Sequence, residues 1–125
     1  MGYEVGEQKN QRAKGKDGED IAAAFLQKLG YKVLEKNFQF GHGEIDIIVQ
    51  DGNEIVFVEV KTRKSLEYGD PEFAITKNKI GQIKKVATAY LVQKNITEQT
   101  CRIDAVAILI QNEREPLINH YKNVG

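Results

Sequence analysis

The chain has 125 residues, 41% hydrophobic and 29% charged, and its 18 Lys/Arg balance its 18 Asp/Glu. That size fits one domain with a core of its own, since such domains hide about two-thirds of their unfolded surface. The longest apolar runs, IAAAFL and AVAILI, are too short to span a bilayer, and the polar start MGYEVGEQKNQRAKGKDGED lacks the apolar stretch of a secretory signal, so a cytoplasmic protein is expected.

Residues 1–12 read as a flexible N-terminal segment ahead of a single domain over residues 13–125. From Gly15 to Leu29 the pattern is helical, with Ile21, Ala22, Phe25 and Leu29 on one stripe, and Gly30 stops the helix. Residues 31–40, YKVLEKNFQF, form a first strand. A hairpin follows, with strands near 44–49 and 54–61 around the turn signal Asp51-Gly52. Residues 62–73 make a polar connection containing Tyr68, Gly69 and Pro71. Thr76 N-caps a helix reaching Gln93, with an apolar stripe of Ile80, Ile83, Ala87, Tyr90 and Leu91. A strand over 101–110, CRIDAVAILI, comes next, and the tail PLINHYKNVG adds a short edge strand or a terminal arm. Cys101, the sole cysteine, opens that strand and reads as a small packing residue; it cannot form an internal disulfide. The order predicts a mixed sheet in which the last long strand runs parallel to an earlier one through a right-handed crossover, with helices on both faces.

Charge is unevenly spread. Residues 21–60 carry three Lys against six Asp/Glu, whereas residues 61–94 carry eight Lys/Arg against three Asp/Glu. An acidic centre beside a basic segment suits a metal site next to a phosphate-binding surface; a solvated Lys-rich helix is the plainer reading.

The hairpin GEIDIIVQDGNEIVFVEVK places Glu44, Asp46, Glu59 and Lys61 within runs of Ile, Val and Phe. If Asp51-Gly52 is the centre of a two-residue turn, Gln50 pairs with Asn53, Asp46 lies opposite Phe57, and Glu44 lies opposite Glu59. All four charged residues then share one face, with Asp46 diagonal to Glu59 and roughly 7–8 Å from it at Cα. Two carboxylates about 5 Å apart repel by roughly 3 kcal/mol at an effective dielectric of 20. Lys61 neutralises one charge, not three. A hard divalent cation offsets the rest, and oxygen ligands suit Mg²⁺ or Mn²⁺. The competing reading is a ladder of ion pairs on an exposed sheet face, for which FVEV and IDII are too apolar.

Asp46, twelve intervening residues, then Glu59-Val60-Lys61, after a helix bearing an acidic residue, resembles the PD-(D/E)XK nuclease core. The ordered set Gly18-Glu19, Gly43-Glu44-Ile45-Asp46, VFVEVKTR, Thr76 with Lys79, and Arg102-Ile103-Asp104 is similar to a YraN-like family related to Holliday junction resolvases. Ile45 stands where the superfamily name has Pro. The resemblance implies a restriction endonuclease-like αβββαβ fold, a mixed central sheet flanked by helices. It implies Mg²⁺ (or Mn²⁺) on Asp46, Glu59 and the Val60 carbonyl, with Lys61 orienting the attacking water. Glu19 is expected to act on a metal-bound water or a second ion, or else to be a favourable charge in the first helical turn. Arg63, Lys64 and Lys79 are expected at the substrate phosphates. Glu44 and Arg102 are supporting residues, either at the site or paired with each other. His42 reads as a structural or solvent-facing loop residue and not as a ligand, and His120 in the tail carries no signal.

Two functions follow from the resemblance. One is a metal-dependent endonuclease acting on DNA, with branched or junction DNA as a candidate substrate; symmetric junction cutting requires a homodimer. The other is a non-catalytic nucleic-acid-binding domain that keeps the nuclease fold.

Overall fold

The computed structural model describes residues 7–64 and 75–125, with side chains from residue 18 onward. Tyr68, Gly69 and Pro71 lie outside the described residues, as do residues 1–6. The elements are α1 (Glu7–Lys28), β1 (Lys32–Phe40), β2 (Gly43–Asp51), β3 (Glu54–Arg63), α2 (Lys77–Gln93), β4 (Thr100–Leu109) and β5 (Leu117–Tyr121). The first helix starts at Glu7, eight residues before the position expected from the apolar stripe, because its early turns are polar and leave no such stripe.

The strands form one five-stranded sheet in the order β1-β2-β3-β4-β5. β1, β2 and β3 are an antiparallel meander, β4 lies parallel to β3, and β5 closes the edge antiparallel to β4. A parallel partner for β4 among the earlier strands is what sequence order predicts, since α2 carries the chain back before β4 begins, and that partner is β3. The last pair of the β2–β3 hairpin is Asp51 with Glu54, so Gly52 and Asn53 are the central turn residues. Gly52 has φ 62 while Asn53 stays out of the left-handed region, the sign pattern of a type II′ turn with glycine first. The register is therefore displaced by two residues from the one read off Asp51-Gly52.

Each face of the sheet is covered by one helix. Ala22, Ala23 and Leu26 of α1 pack on Ile47, Val49, Val56, Val58, Val106 and Ile108. Ile83, Val86, Ala87 and Tyr90 of α2 pack on Ile48, Ile55, Phe57, Ile103 and Phe38. Both faces of β2, β3 and β4 are thus buried, which is why these strands read as nearly unbroken apolar runs. The α1 stripe is rotated from the expected one: Leu26 is fully buried, while Leu29, beyond the helix end, is 49% exposed. Thr76 caps α2 as expected, its hydroxyl accepting from the Lys79 N–H at 3.1 Å. Among the described residues no helix is long and apolar enough to cross a membrane.

Candidate metal centre

The carboxylates gather where the regular pleat of β2 fails. Ile47 and Val49 belong to the α1-side core, as alternation requires, but Ile45 and Ile48, three residues apart, both belong to the α2-side core. The pleat therefore slips at Asp46. The neighbouring strand is irregular at the same level without a change of register: β1 pairs Lys36 with Ile47 and Phe38 with Ile45, and Asn37 between them has φ 55, while the register shift of β1 lies between Val33 and Glu35. Asparagine tolerates that left-handed conformation better than the β-branched residues that surround it in such strands.

The slip decides where each charge goes. Glu59 continues the Ile55–Phe57 face and meets α2, where Lys79 lies 3.5 Å from it. Glu44 falls on the other side, next to Glu19 of α1. Asp46 sits at the break and serves both sides. One oxygen each from Glu19, Glu44 and Asp46 lie within 4.8 Å of one another. The expectation that Glu44, Asp46, Glu59 and Lys61 share one face is corrected accordingly: it assumed an unbroken pleat. Asp46 also makes a structural contact. Past the last β2–β3 pair, Ile47 with Val58, the Asp46 carboxylate accepts the Val60 N–H at 2.8 Å, where a strand carbonyl would otherwise stand.

Glu19 reaches this point because α1 lies directly on β3. A Cβ on Gly18 would overlap the Thr62 hydroxyl, so only glycine permits that approach. Glu19 is further held by the Asn37 side chain, a partner that sequence reasoning missed. The available signal was an asparagine in the middle of a strand, where its propensity is poor.

Glu19, Asp46 and Glu59 resist ionisation. Burial pushes the Glu19 carboxyl above its ordinary value, and Asp46 adds to the effect. Burial likewise raises Asp46, against the Val60 N–H, which favours the charged form, and with Glu44 adding repulsion. Burial and then Asp46 raise Glu59 to about 7, against the nearby ammonium groups of Lys79 and Lys61. These are carboxylates short of positive charge. The donor set is all oxygen, with no imidazole or thiolate, which fits a hard divalent cation.

Lys61, Arg63 and Lys64 are exposed on the stretch of β3 that follows Glu59, and of these Lys61 acts electrostatically on Glu59. Arg102 bonds Asp104 at 2.9 Å, Glu54 at 2.8 Å, Asp51 at 3.1 Å and the Tyr31 hydroxyl at 3.0 Å, near the β2–β3 turn. Glu44 is not among its partners. Burial alone would make Arg102 easier to deprotonate, but Asp104, Glu54 and Asp51 outweigh it and hold the guanidinium charged. Asp104, fully buried, also takes the His120 ring at 2.8 Å and the Asn123 N–H at 2.9 Å. The Arg-x-Asp pair and His120 thus fasten the C-terminal segment to the sheet.

Among the cavities of the described surface are four of about 300 to 360 Å³, and these four are not lined by Glu19, Glu44, Asp46 or Glu59. Glu19, Glu44 and Asp46 are each partly exposed, so the cluster is open to solvent.

A helix, a three-stranded antiparallel meander, a crossover helix and a parallel strand, with acids at the broken pleat of the second strand, define the αβββαβ core of the nuclease-like superfamily. The model of the "Uncharacterised protein family UPF0102" matches residues 18–108, and this chain belongs to that family, the YraN-like group of the superfamily. It is 44% identical over 109 residues to the UPF0102 protein of Geobacter sulfurreducens, covering 87% of this chain and 85% of that one. The UPF0102 proteins of Trichlorobacter lovleyi and Geotalea daltonii are 46% and 45% identical over 116 and 119 residues. Those matches cover 92% and 91% of the two chains in the first case and 94% of both in the second. The family match runs from Gly18, which seats Glu19, through Lys79 and Arg102, and ends before His120.

Proposed function

We propose that this protein is a Mg²⁺- or Mn²⁺-dependent endonuclease that hydrolyses DNA phosphodiester bonds. The observation that carries the reading is Asp46 at the pleat break, within reach of Glu19 and Glu44 on one side and coupled to Glu59 on the other. Asp46 with Glu59 and the Val60 carbonyl would hold the ion, and Glu44 and Glu19 extend the oxygen donors toward α1. A bound cation would polarise the scissile phosphate and lower the pKa of a coordinated water. Lys61, on the same strand as Glu59, orients the attacking water and offsets the charge that builds on phosphorus. Lys79 leaves Glu59 for the phosphate once the carboxylate has another cation. Water adds to phosphorus, the bond to the 3′ oxygen breaks, and that oxygen takes up a proton as it leaves. Lys64 and Arg63 hold the flanking backbone without reading bases, so affinity falls with salt.

The test is a metal titration with cleavage assays on linear duplex, single-stranded and four-way DNA. Cutting is expected with Mg²⁺ or Mn²⁺ and lost in Asp46→Ala and Glu59→Ala. Cutting that survives both substitutions refutes the site. Metal and DNA binding without any cutting identifies a non-catalytic nucleic-acid-binding domain instead.

A further inference from the structure

We propose that the tip of the β1–β2 hairpin and the adjoining flank of α2 form a seat for an unpaired nucleobase, with Phe40 as the stacking surface. This rests on the reading that the acidic cluster acts on DNA, and it names the feature of DNA that the protein selects.

Phe40 is 51% exposed and Val92 is 70% exposed, and both line one groove of about 300 Å³ together with Lys85, Thr88, Ala89 and Gln93. A second groove of about 300 Å³ adjoins it, shares Phe40 and Lys85, and extends to His42 and Gln82. Leaving large apolar groups in water is unfavourable by about 25 cal/mol per Å², so two of them facing one groove call for an occupant. No Asp or Glu lines either groove, while Lys85 lines both. An apolar, aromatic-walled groove with an ammonium at its side matches a base attached to its phosphate. It does not match an acidic metal site or a basic peptide.

The seat lies on the α2 side of the sheet, the side on which Glu59 meets Lys79; Glu44, the residue after the Phe40–Gly43 pair, turns to the α1 side. Asp46 is three residues from Gly43, about 10 Å at roughly 3.4 Å per strand residue, or about three base steps of a nucleic-acid strand. Along α2, Lys79, Gln82, Lys85 and Ala89 follow at spacings of three and four, which puts them on one flank of the helix. That flank begins at Glu59, which Lys79 contacts, and ends in the Phe40 groove.

Stacking on Phe40 requires a free base face. In matched duplex both faces of an internal base are covered by its neighbours. An aromatic side chain gains affinity only where a base is unpaired, as at a flap, a bulge or a junction. The groove therefore provides a preference for irregular DNA without any sequence readout.

The experiment measures binding by the full chain, with Ca²⁺ in place of Mg²⁺, to a matched duplex and to the same duplex carrying one unpaired 2-aminopurine. The expected result is about tenfold tighter binding of the second, or about 1.4 kcal/mol, with quenching of the 2-aminopurine. Phe40→Ala loses both effects while its affinity for matched duplex holds, and Phe40→Trp keeps them. Lys85→Ala weakens both DNAs alike and lowers the salt slope by about 1. Phe40 is exposed, and an unchanged melting temperature verifies that the variants are folded. Equal binding of the two DNAs, or a Phe40→Ala protein that keeps the preference, overturns the proposal. So does a Phe40→Ala effect confined to breaking a dimer in sedimentation. A preference that persists in a protein unable to cut with Mg²⁺ sinks the endonuclease reading and leaves this one standing. Cutting without the preference does the reverse.

Discussion

Asp46 takes the Val60 N–H at 2.8 Å while its carboxylate also faces Glu19 and Glu44. One side chain thus joins two diverging strands and supplies the centre of the acidic cluster. Asn and Ala at this position separate the two tasks. Asp46→Asn keeps an acceptor for Val60 and removes a charge that its neighbours repel, so without metal its melting temperature should equal or exceed that of the parent. Asp46→Ala leaves the N–H without its partner and should lose about 1–3 kcal/mol. Both variants should lose divalent-cation binding by calorimetry. An Asp46→Asn protein that binds Mg²⁺ as the parent does would displace Asp46 from the site.

The raised Glu59 sets the pH response. The folded chain holds this proton up to about 7, while the unfolded chain releases it near 4.5. Between those values the folded state binds more protons than the unfolded state, so stability of the metal-free protein falls as pH rises. Glu19 and Asp46, also raised, act in the same direction. Melting temperature without metal should fall from about pH 5 to pH 8, and Glu59→Gln should flatten the slope. Mg²⁺ must displace the same proton, so its affinity should rise with pH through about 7. A metal affinity independent of pH across that window contradicts the assignment.

Arg102 and Asp104 should matter for stability and not for cutting. Asp104 is fully buried, and removing Arg102 leaves it with His120 and the Asn123 N–H alone. Breaking a buried pair by deleting one partner typically costs about 3–5 kcal/mol. Arg102→Met should therefore lower the melting temperature by on the order of 10 °C. Below its melting range the variant should retain divalent-cation binding by calorimetry. Burial opposes ionisation of Asp104, but His120, Arg102 and the Asn123 N–H together depress it below the usual aspartate value. Its stabilising contribution is therefore full above that value and is lost as pH falls through the folded one.

Gly18 and Thr62 can be tested as a pair. Alanine is favoured over glycine within a helix by about 1 kcal/mol, but a Cβ at position 18 overlaps the Thr62 hydroxyl. Gly18→Ala alone should destabilise by about 1–3 kcal/mol as α1 is pushed off β3. It should also weaken metal binding, because Glu19 moves with the helix. Adding Thr62→Ala should recover most of the stability. Strictly additive effects in the double-mutant cycle would show that the two residues do not meet.

Much of this was legible in the chain. The apolar runs of GEIDIIVQDGNEIVFVEVK on either side of Asp51-Gly52 gave the hairpin, and Thr76 marked the start of α2. The acidic and basic residues of the candidate site stand in the order of their family. Position along a strand was less secure. Asp51-Gly52 suggested a turn centre two residues' worth of register away from the real one, since Gly52-Asn53 closes a type II′ turn equally well. A two-residue displacement alone would have preserved the face of every side chain; it was the broken pleat at Asp46 that separated Glu44 from Glu59. His120 gave no signal because its partner, Asp104, lies 16 residues away and on another strand.

The sequence by itself determined the elements, the two apolar faces and the kinds of charge near the open end of the sheet, because these depend on periodicity and residue type within short windows. Only the tertiary structure decided which charges meet. The slip at Asp46 lies beside the left-handed Asn37 of the neighbouring strand, and α1, seated on Thr62, brings Glu19 to it. The slip sends Glu44 toward one helix and Glu59 toward the other. Each strand's alternation is a local property; the meeting of these charges is an agreement among three elements, and no single stretch of chain contains it.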